Sequence, residues 1–246
     1  MIIYGINPVL EALRAGRVGG IRISSRADAR LAGVVDAAKK AGVAVKRVDG
    51  SELDRASKGG VHQGVVATVP DRDSLSPEDL VRGATASTGA PLIVVLDGIE
   101  DPHNVGAILR TVDAAGASGV VRQERHAAPL GGATAKASAG AVSHVKIADV
   151  VNIARALEEL KEAGVWTVGL AGDAGKRYDD IDYTLPTALV VGAEGAGLRR
   201  LVRERCDWLV FIPMQGHVQS LNVSVATGVV LFEADRQRLN RAKSGT

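Results

Sequence analysis

The spacing of apolar residues along the chain changes character about a third of the way through. In the first part Val9, Leu10 and Leu13 fall on one side of an amphipathic helix predicted over residues 4–15. Ile21-Arg22-Ile23 alternates as a strand does, and residues 31–41 read as a helix closed by Gly42. A strand then passes through Val43 and Val45, and residues 62–67 form the last strand of a small α/β unit. From Pro70 to about Ala90 the chain is rich in Asp, Ser, Pro and Gly, with a short helix predicted near 77–81. This stretch divides the chain into an N-terminal domain, 1–70, a linker, 71–90, and a C-terminal domain, 91–246.

The second part opens with the unbroken apolar run Leu92-Ile93-Val94-Val95-Leu96, the pattern of a strand covered on both faces. A helix over 104–115 follows, with Val105, Ile108, Leu109 and Val112 as its buried stripe. A strand at 119–121, a helix over 152–163 and strands at 165–170, 188–191 and 208–212 come next, and a long helix over 221–239 closes the chain. Strands alternating with helices predict an α/β fold built on a mostly parallel sheet.

Composition narrows this only a little. Of 246 residues, 46% are hydrophobic and 24% charged, which is ordinary for a folded protein, and aromatics make up only 3%, so the core must be built from Val, Leu, Ile and Ala. Cys206 is the single cysteine, which excludes an internal disulfide and a cysteine-based zinc cluster and fits a reducing cytoplasm. The first residues show no basic run leading into an apolar stretch, and no apolar segment is long enough to span a bilayer; the expectation is a cytoplasmic protein with no membrane partner. The net charge of +2 is small, but the first 75 residues hold 12 Lys and Arg against 8 Asp and Glu. That excess suits a phosphate-facing surface and equally a solvated one.

In open α/β sheets, ligands sit beyond the carboxyl ends of the strands. Polar and glycine-rich residues gather in three such places: residues 97–104, leading into the helix that carries Arg110; residues 192–197; and residues 213–222. On the residues alone, Asn104 can be a helix cap and Arg110 a surface arginine. They are six positions apart and point to different sides of a regular helix, so a joint role requires Asn104 at or before the helix start. Gly192, Gly195 and Gly197 let a ligand approach the backbone closely, with Glu194 among them. The spacing is not that of a dinucleotide fingerprint, and Lys176 after Gly175 lacks the frame of a P-loop. The five histidines are scattered without metal-ligand spacing, and no G-x-S-x-G elbow is present. A nucleotide-like ligand held by backbone groups, with no metal, remains open.

Taken together, the three loops resemble the three motifs of the SpoU (TrmH-like) RNA ribose methyltransferases. The first is Asp101-Pro102-His103-Asn104-Val105-Gly106-Ala107-Ile108-Leu109-Arg110; the second runs from Val190 to Leu198; the third joins Ile212-Pro213-Met214 to Ser220-Leu221-Asn222-Val223-Ser224. Tyr4-Gly5-Ile6-Asn7-Pro8-Val9-Leu10 and His62-Gln63-Gly64-Val65 resemble the auxiliary domain of the subfamily that methylates 23S rRNA guanosines, a domain similar to ribosomal protein L30e that grips RNA.

The resemblance implies a trefoil knot in the C-terminal domain, S-adenosylmethionine as cofactor, a homodimer with active sites near the subunit interface, and 2′-O-methylation of a guanosine ribose in 23S rRNA. A tRNA ribose as substrate, or a non-catalytic RNA-binding protein of the same fold, are the alternatives. Gly192, Ile212 and Leu221 are implied as backbone contacts to the cofactor, with Gly197 permitting close approach. Arg110 is implied as the residue that activates the ribose hydroxyl, Asn104 as positioning Arg110 or the ribose, Glu194 as orienting the arginine, and Asn222 as fixing the third loop. Whether Arg110 acts as a base is left open: a free-base guanidinium is costly, and the alternatives are that it stabilises a developing alkoxide or holds the adjoining phosphate.

Overall fold

Gly5 decides how the chain begins. Its φ of 95° is incompatible with a helix, so the computed structural model makes Ile2–Tyr4 a strand (β1) and starts the first helix, α1 (Ile6–Arg14), only after it. The helix expected from residue 4 is corrected accordingly: Tyr4 pairs with Val66. The structure describes residues 1–26, 29–70, 74–87 and 90–244.

The N-terminal elements continue as β2 (Gly20–Ser24), α2 (Ala32–Lys40), β3 (Val45–Val48), α3 (Gly50–Ser57) and β4 (Val65–Thr68). They form a four-stranded sheet in the order β1-β4-β2-β3, in which β2 and β3 are parallel and the other pairs antiparallel. Tyr4, Val48, Leu53 and Val66 make a small core. The His62-Gln63-Gly64 segment is held by its own side chains. Gln63 Oε1 accepts the Ile6 N–H at 3.0 Å. His62 Nδ1 accepts the Gly64 N–H at 3.0 Å, which leaves its Nε2–H to face Asp54 at 3.1 Å.

The remaining elements are α4 (Pro77–Ser87), β5 (Leu92–Asp97), α5 (Pro102–Ala114), β6 (Gly119–Gln123), α6 (Gly132–Ala137), β7 (Ile147–Val150), α7 (Ile153–Glu162), β8 (Trp166–Leu170), β9 (Lys176–Arg177), β10 (Thr187–Gly192), α8 (Arg200–Arg205), β11 (Trp208–Phe211) and α9 (Val223–Ser244). The seven strands form one sheet in the order β7-β6-β5-β10-β8-β11-β9, and every neighbouring pair is parallel. All seven carboxyl ends therefore lie on the same edge. Every residue of β5 and β10 is buried, as a sheet covered on both faces requires. On one face Ile93, Val95, Ala188 and Val190 pack with Ile153, Leu157 and Leu160 of α7.

By compactness the chain falls into two units. One combines Met1–Asp73 with Val105–Arg110 and Ala128–His144; the other combines Ser74–Asn104, Thr111–Ala127 and Val145–Thr246. Within the first, Gly106 of α5 lies against α6: a Cβ there would sit 2.4 Å from the Ala137 Cβ and 2.9 Å from the Ser138 nitrogen. Within the second, residues 77–87 are more than a connector. Ser76 and Asp79 bond reciprocally as a capping box, and the helix buries Leu80 in the core beside α7.

Helix α9 is tied down by Arg238, whose guanidinium donates to the carbonyls of Tyr183, Ala90, Pro91 and Leu185 at 2.8, 2.6, 3.0 and 3.2 Å. Burial pulls its pKa down from the usual arginine value. No helix among the described residues is long and apolar enough to cross a membrane. Because Arg238→Ala removes this donor from the Tyr183 and Ala90 carbonyls, while the Pro91 and Leu185 carbonyls keep Thr187 as donor, it should lower unfolding free energy by about 2–4 kcal/mol in urea titrations. The neighbouring pair between exposed Arg236 and largely covered Glu233 should contribute about 1 kcal/mol or less by the same measurement.

Candidate active site

The site forms where strands β5, β10 and β11 end. Beyond β5, Asp101 caps α5: its carboxylate accepts the N–H groups of His103 and Asn104, and Pro102 takes the first helical position, where its missing N–H is harmless. The cap is thus Asp101, and Asn104 stands in the first helical turn, not at or before the helix start. That frees its side chain.

Asn104 and Asn222 are joined to Glu194 in a directed chain of hydrogen bonds. Asn222 Oδ1 accepts from the Ser224 N–H at 2.9 Å at the head of α9, so its amide nitrogen must point the other way, donating to Asn104 Oδ1 at 2.9 Å. Asn104 then donates to Glu194 Oε2 at 3.2 Å. The donors run one way and end on the carboxylate, beside the electropositive first turn of α5. Three residues separated by 90 and 118 positions in sequence meet here.

The glycine loop after β10 doubles back on itself. The Gly197 N–H donates to the Ala193 carbonyl at 2.8 Å, and Ala193 and Gly197 form an isolated antiparallel bridge. A Cβ at Gly192 would lie 2.2 Å from the Gly197 carbonyl and 2.4 Å from the Leu198 nitrogen, so glycine alone fits there. The loop walls a cavity of about 260 Å³, lined also by Leu170, Ala171 and Gly172 after β8 and by Ile212, Met214 and Gln219 to Leu221 after β11. Gly192, Gly197, Ile212, Leu221 and Glu194 all line it; its walls are mostly backbone and apolar side chains, with Glu194 as the one charged group.

Arg110 stands apart. Six residues beyond Asn104 on α5, it is turned about 240° around the helix axis. Its side chain is exposed and makes no hydrogen bond or ion pair among the described residues. Glu194 is engaged by Asn104.

Asp97 and Arg199 were not singled out by sequence. Asp97 closes β5 fully buried, and its carboxylate accepts the Arg199 backbone N–H at 2.8 Å and the guanidinium at 2.6 and 2.5 Å. The only signal was an acid ending an otherwise apolar strand. Cys206 is not a reactive thiol: burial pushes its pKa up to about 12, and its Sγ–H donates to the Val202 carbonyl.

With this geometry the comparisons agree. Residues 91–232 match the model of the SpoU rRNA Methylase family, and residues 2–74 match that of the RNA 2′-O ribose methyltransferase substrate binding domain. The chain is 46% identical over 244 residues to the 23S rRNA (guanosine-2′-O-)-methyltransferase RlmB of Pseudomonas syringae, spanning 98% of this chain and 97% of that one. It is 48% identical over 243 residues to the RlmB of a Burkholderia species, spanning 98% of each. Among solved structures, the AdoMet-bound rRNA methyltransferase from Sinorhizobium meliloti superposes with a TM-score of 0.77 at 28% identity, covering 96% of this chain and 86% of that one. The chain belongs to the SpoU rRNA methylase family.

The packing of the glycine loop makes a direct prediction. Gly192→Ala should lower unfolding free energy by about 1–3 kcal/mol or more, since backbone must move. Gly195→Ala, with open space around it but a φ of 79°, should lose about 1 kcal/mol. Chemical denaturation of the two variants side by side checks the order.

Proposed function

We propose that this member of the SpoU family transfers the methyl group of S-adenosylmethionine to the 2′-hydroxyl of a guanosine ribose in 23S rRNA. The observation that carries this reading is the Asn222–Asn104–Glu194 chain set at the wall of a backbone-lined cavity. Near-full-length identity to two 23S rRNA guanosine methyltransferases supports the substrate.

The cavity suits the cofactor. Its walls offer unhindered backbone at the glycine loop and apolar surface from Leu170, Phe211, Ile212 and Met214, with one carboxylate to meet positive charge. Gly192, Ile212 and Leu221 would hold the cofactor through backbone groups, and the absence of a side chain at Gly197 keeps the approach open. When bound, S-adenosylmethionine supplies a methyl carbon already activated by the adjacent sulfonium.

The protein's task is then to align the ribose oxygen and ease loss of its proton. Alignment alone can contribute up to about 7–11 kcal/mol in favourable cases. Asn104 is clamped at both ends, so it presents a fixed rim to the incoming ribose instead of adapting to it. The role of Arg110 is to stabilise charge developing on the ribose oxygen or to hold the neighbouring phosphate. The 2–74 domain would grip the rRNA, with its excess of lysine and arginine facing phosphate.

The working form is a homodimer in the cytoplasm. Val225, Phe232 and Leu239 recur every seven residues along α9, each about half exposed, at 51, 51 and 54%, and such a stripe suits burial against a second copy. Arg110, without a hydrogen bond or ion pair among the described residues, would be available to an active site completed by the other subunit.

The reading is tested by methyl transfer from labelled S-adenosylmethionine to total rRNA and total tRNA from cells lacking the protein, with nuclease mapping. Label at a 23S guanosine is expected; label confined to tRNA would replace the substrate, and binding of the cofactor with no transfer to either RNA or to ribosome-assembly particles would leave an RNA-binding protein. Arg110→Ala should abolish transfer, by at least a hundredfold, while cofactor affinity measured by calorimetry survives. Near-normal turnover would remove Arg110 from the mechanism. Phe232→Glu should shift the protein to monomer in sedimentation velocity; an unchanged sedimentation coefficient would place the interface elsewhere.

A further inference from the structure

We propose that Asp97 and Arg199 form a positioning pair that sets the glycine loop for the cofactor, an inference that rests on the methyltransferase reading. Gly192, where the loop starts, stands in register with Asp97, the last residue of the neighbouring strand β5. Arg199, where the loop ends, returns to the same Asp97 through its backbone N–H and two guanidinium nitrogens. Both ends of residues 192–199 are therefore fixed to one carboxylate-bearing position, and the Ala193–Gly197 bridge closes the turn between them.

What this clasp holds is the cavity wall. Gly192, Ala193, Glu194, Gly195 and Gly197 line the cavity, and Glu194 is the end of the hydrogen-bond chain through Asn104. Asp97 is also where the loop leading to the Asp101 cap begins. One buried carboxylate thus sets the geometry of the first and second loops together. Arg199 acts through the loop, not on the reacting atoms: its side chain is 52% exposed and meets a carboxylate that is 0% exposed. Two guanidinium nitrogens converge on Asp97 Oδ1 while the Arg199 backbone N–H takes Oδ2, which fixes direction as well as distance in a way that a lysine cannot. The adjacent Arg200 pairs with exposed Glu204 one helical turn on, and serves as the internal control.

The test compares S-adenosylmethionine binding, by calorimetry on the full chain well below each variant's melting temperature, for the unaltered protein, Arg199→Ala, Arg199→Lys and Arg200→Ala. Steady-state KM values for S-adenosylmethionine and for rRNA accompany it. Arg199→Ala is expected to weaken cofactor binding at least tenfold and to raise the cofactor KM in step, with the rRNA KM unchanged within twofold. Arg199→Lys should restore part of the affinity, and Arg200→Ala should match the unaltered protein. A folded Arg199→Ala protein that binds the cofactor within twofold of normal, with only its melting temperature lowered, would overturn the inference and leave the clasp a stability element. If Arg199→Ala does not fold, full cofactor affinity in Arg199→Lys would overturn it in the same way. Failure of the unaltered protein to bind S-adenosylmethionine would instead bring down the methyltransferase reading, and this inference with it.

Discussion

The parallel pairing of β5 with β10 is the constraint from which the site follows. Six residues of each are matched, Leu92 with Thr187 through Asp97 with Gly192, and all twelve are buried. Burial on both faces leaves the register little freedom, because a slip of one residue would turn each side chain to the opposite face and put Asp97 out of reach of Arg199. With the register set, the first and second loops leave the sheet side by side at the same height. Residues 90 positions apart, Asn104 and Glu194, can then meet in a hydrogen bond.

The chemistry of the site depends on order imposed before any ligand arrives. The N–H of Ser224 settles which way the Asn222 amide faces, Asn222 settles Asn104, and Asn104 settles Glu194. Such a chain costs no reorganisation when charge moves during reaction, which is where preorganised dipoles contribute most. The same economy appears at the opposite end of the sheet, where Arg238 donates to the Tyr183 and Ala90 carbonyls and shares the Pro91 carbonyl with the Thr187 N–H. Arg110 is the exception: among the described residues its side chain makes no hydrogen bond or ion pair.

Much of the fold could be read from sequence because its large elements are set by burial. Runs such as 92–96 and 188–191 announce themselves as covered strands, and the stripe Val105, Ile108, Leu109, Val112 announces α5. The elements that escaped are short ones: β7 and β9, of four and two residues, and α3, α6 and α8, of eight, six and six residues. Tyr4, which ends β1, falls within the helix expected over 4–15, and only the backbone at Gly5 decides between the two. At the site, no local pattern could link Asn104, Glu194 and Asn222; resemblance to a family grouped them. The objection that Asn104 and Arg110 point apart came from helix geometry alone, and the structure bears it out with Asn104 inside the first turn. Asp97 and Arg199 stayed invisible because a lone acid and a lone arginine read as solvated charges until the fold joins them across 102 residues.

The most direct test of the account is a crystal structure of the full chain with S-adenosylmethionine bound. The account predicts the cofactor in the cavity between the glycine loop and residues 212–221, hydrogen-bonded to backbone groups of Gly192, Ile212 and Leu221, with the Asn222–Asn104–Glu194 chain intact beside its methyl group. Cofactor bound elsewhere, or bound there only after that chain has come apart, would contradict it.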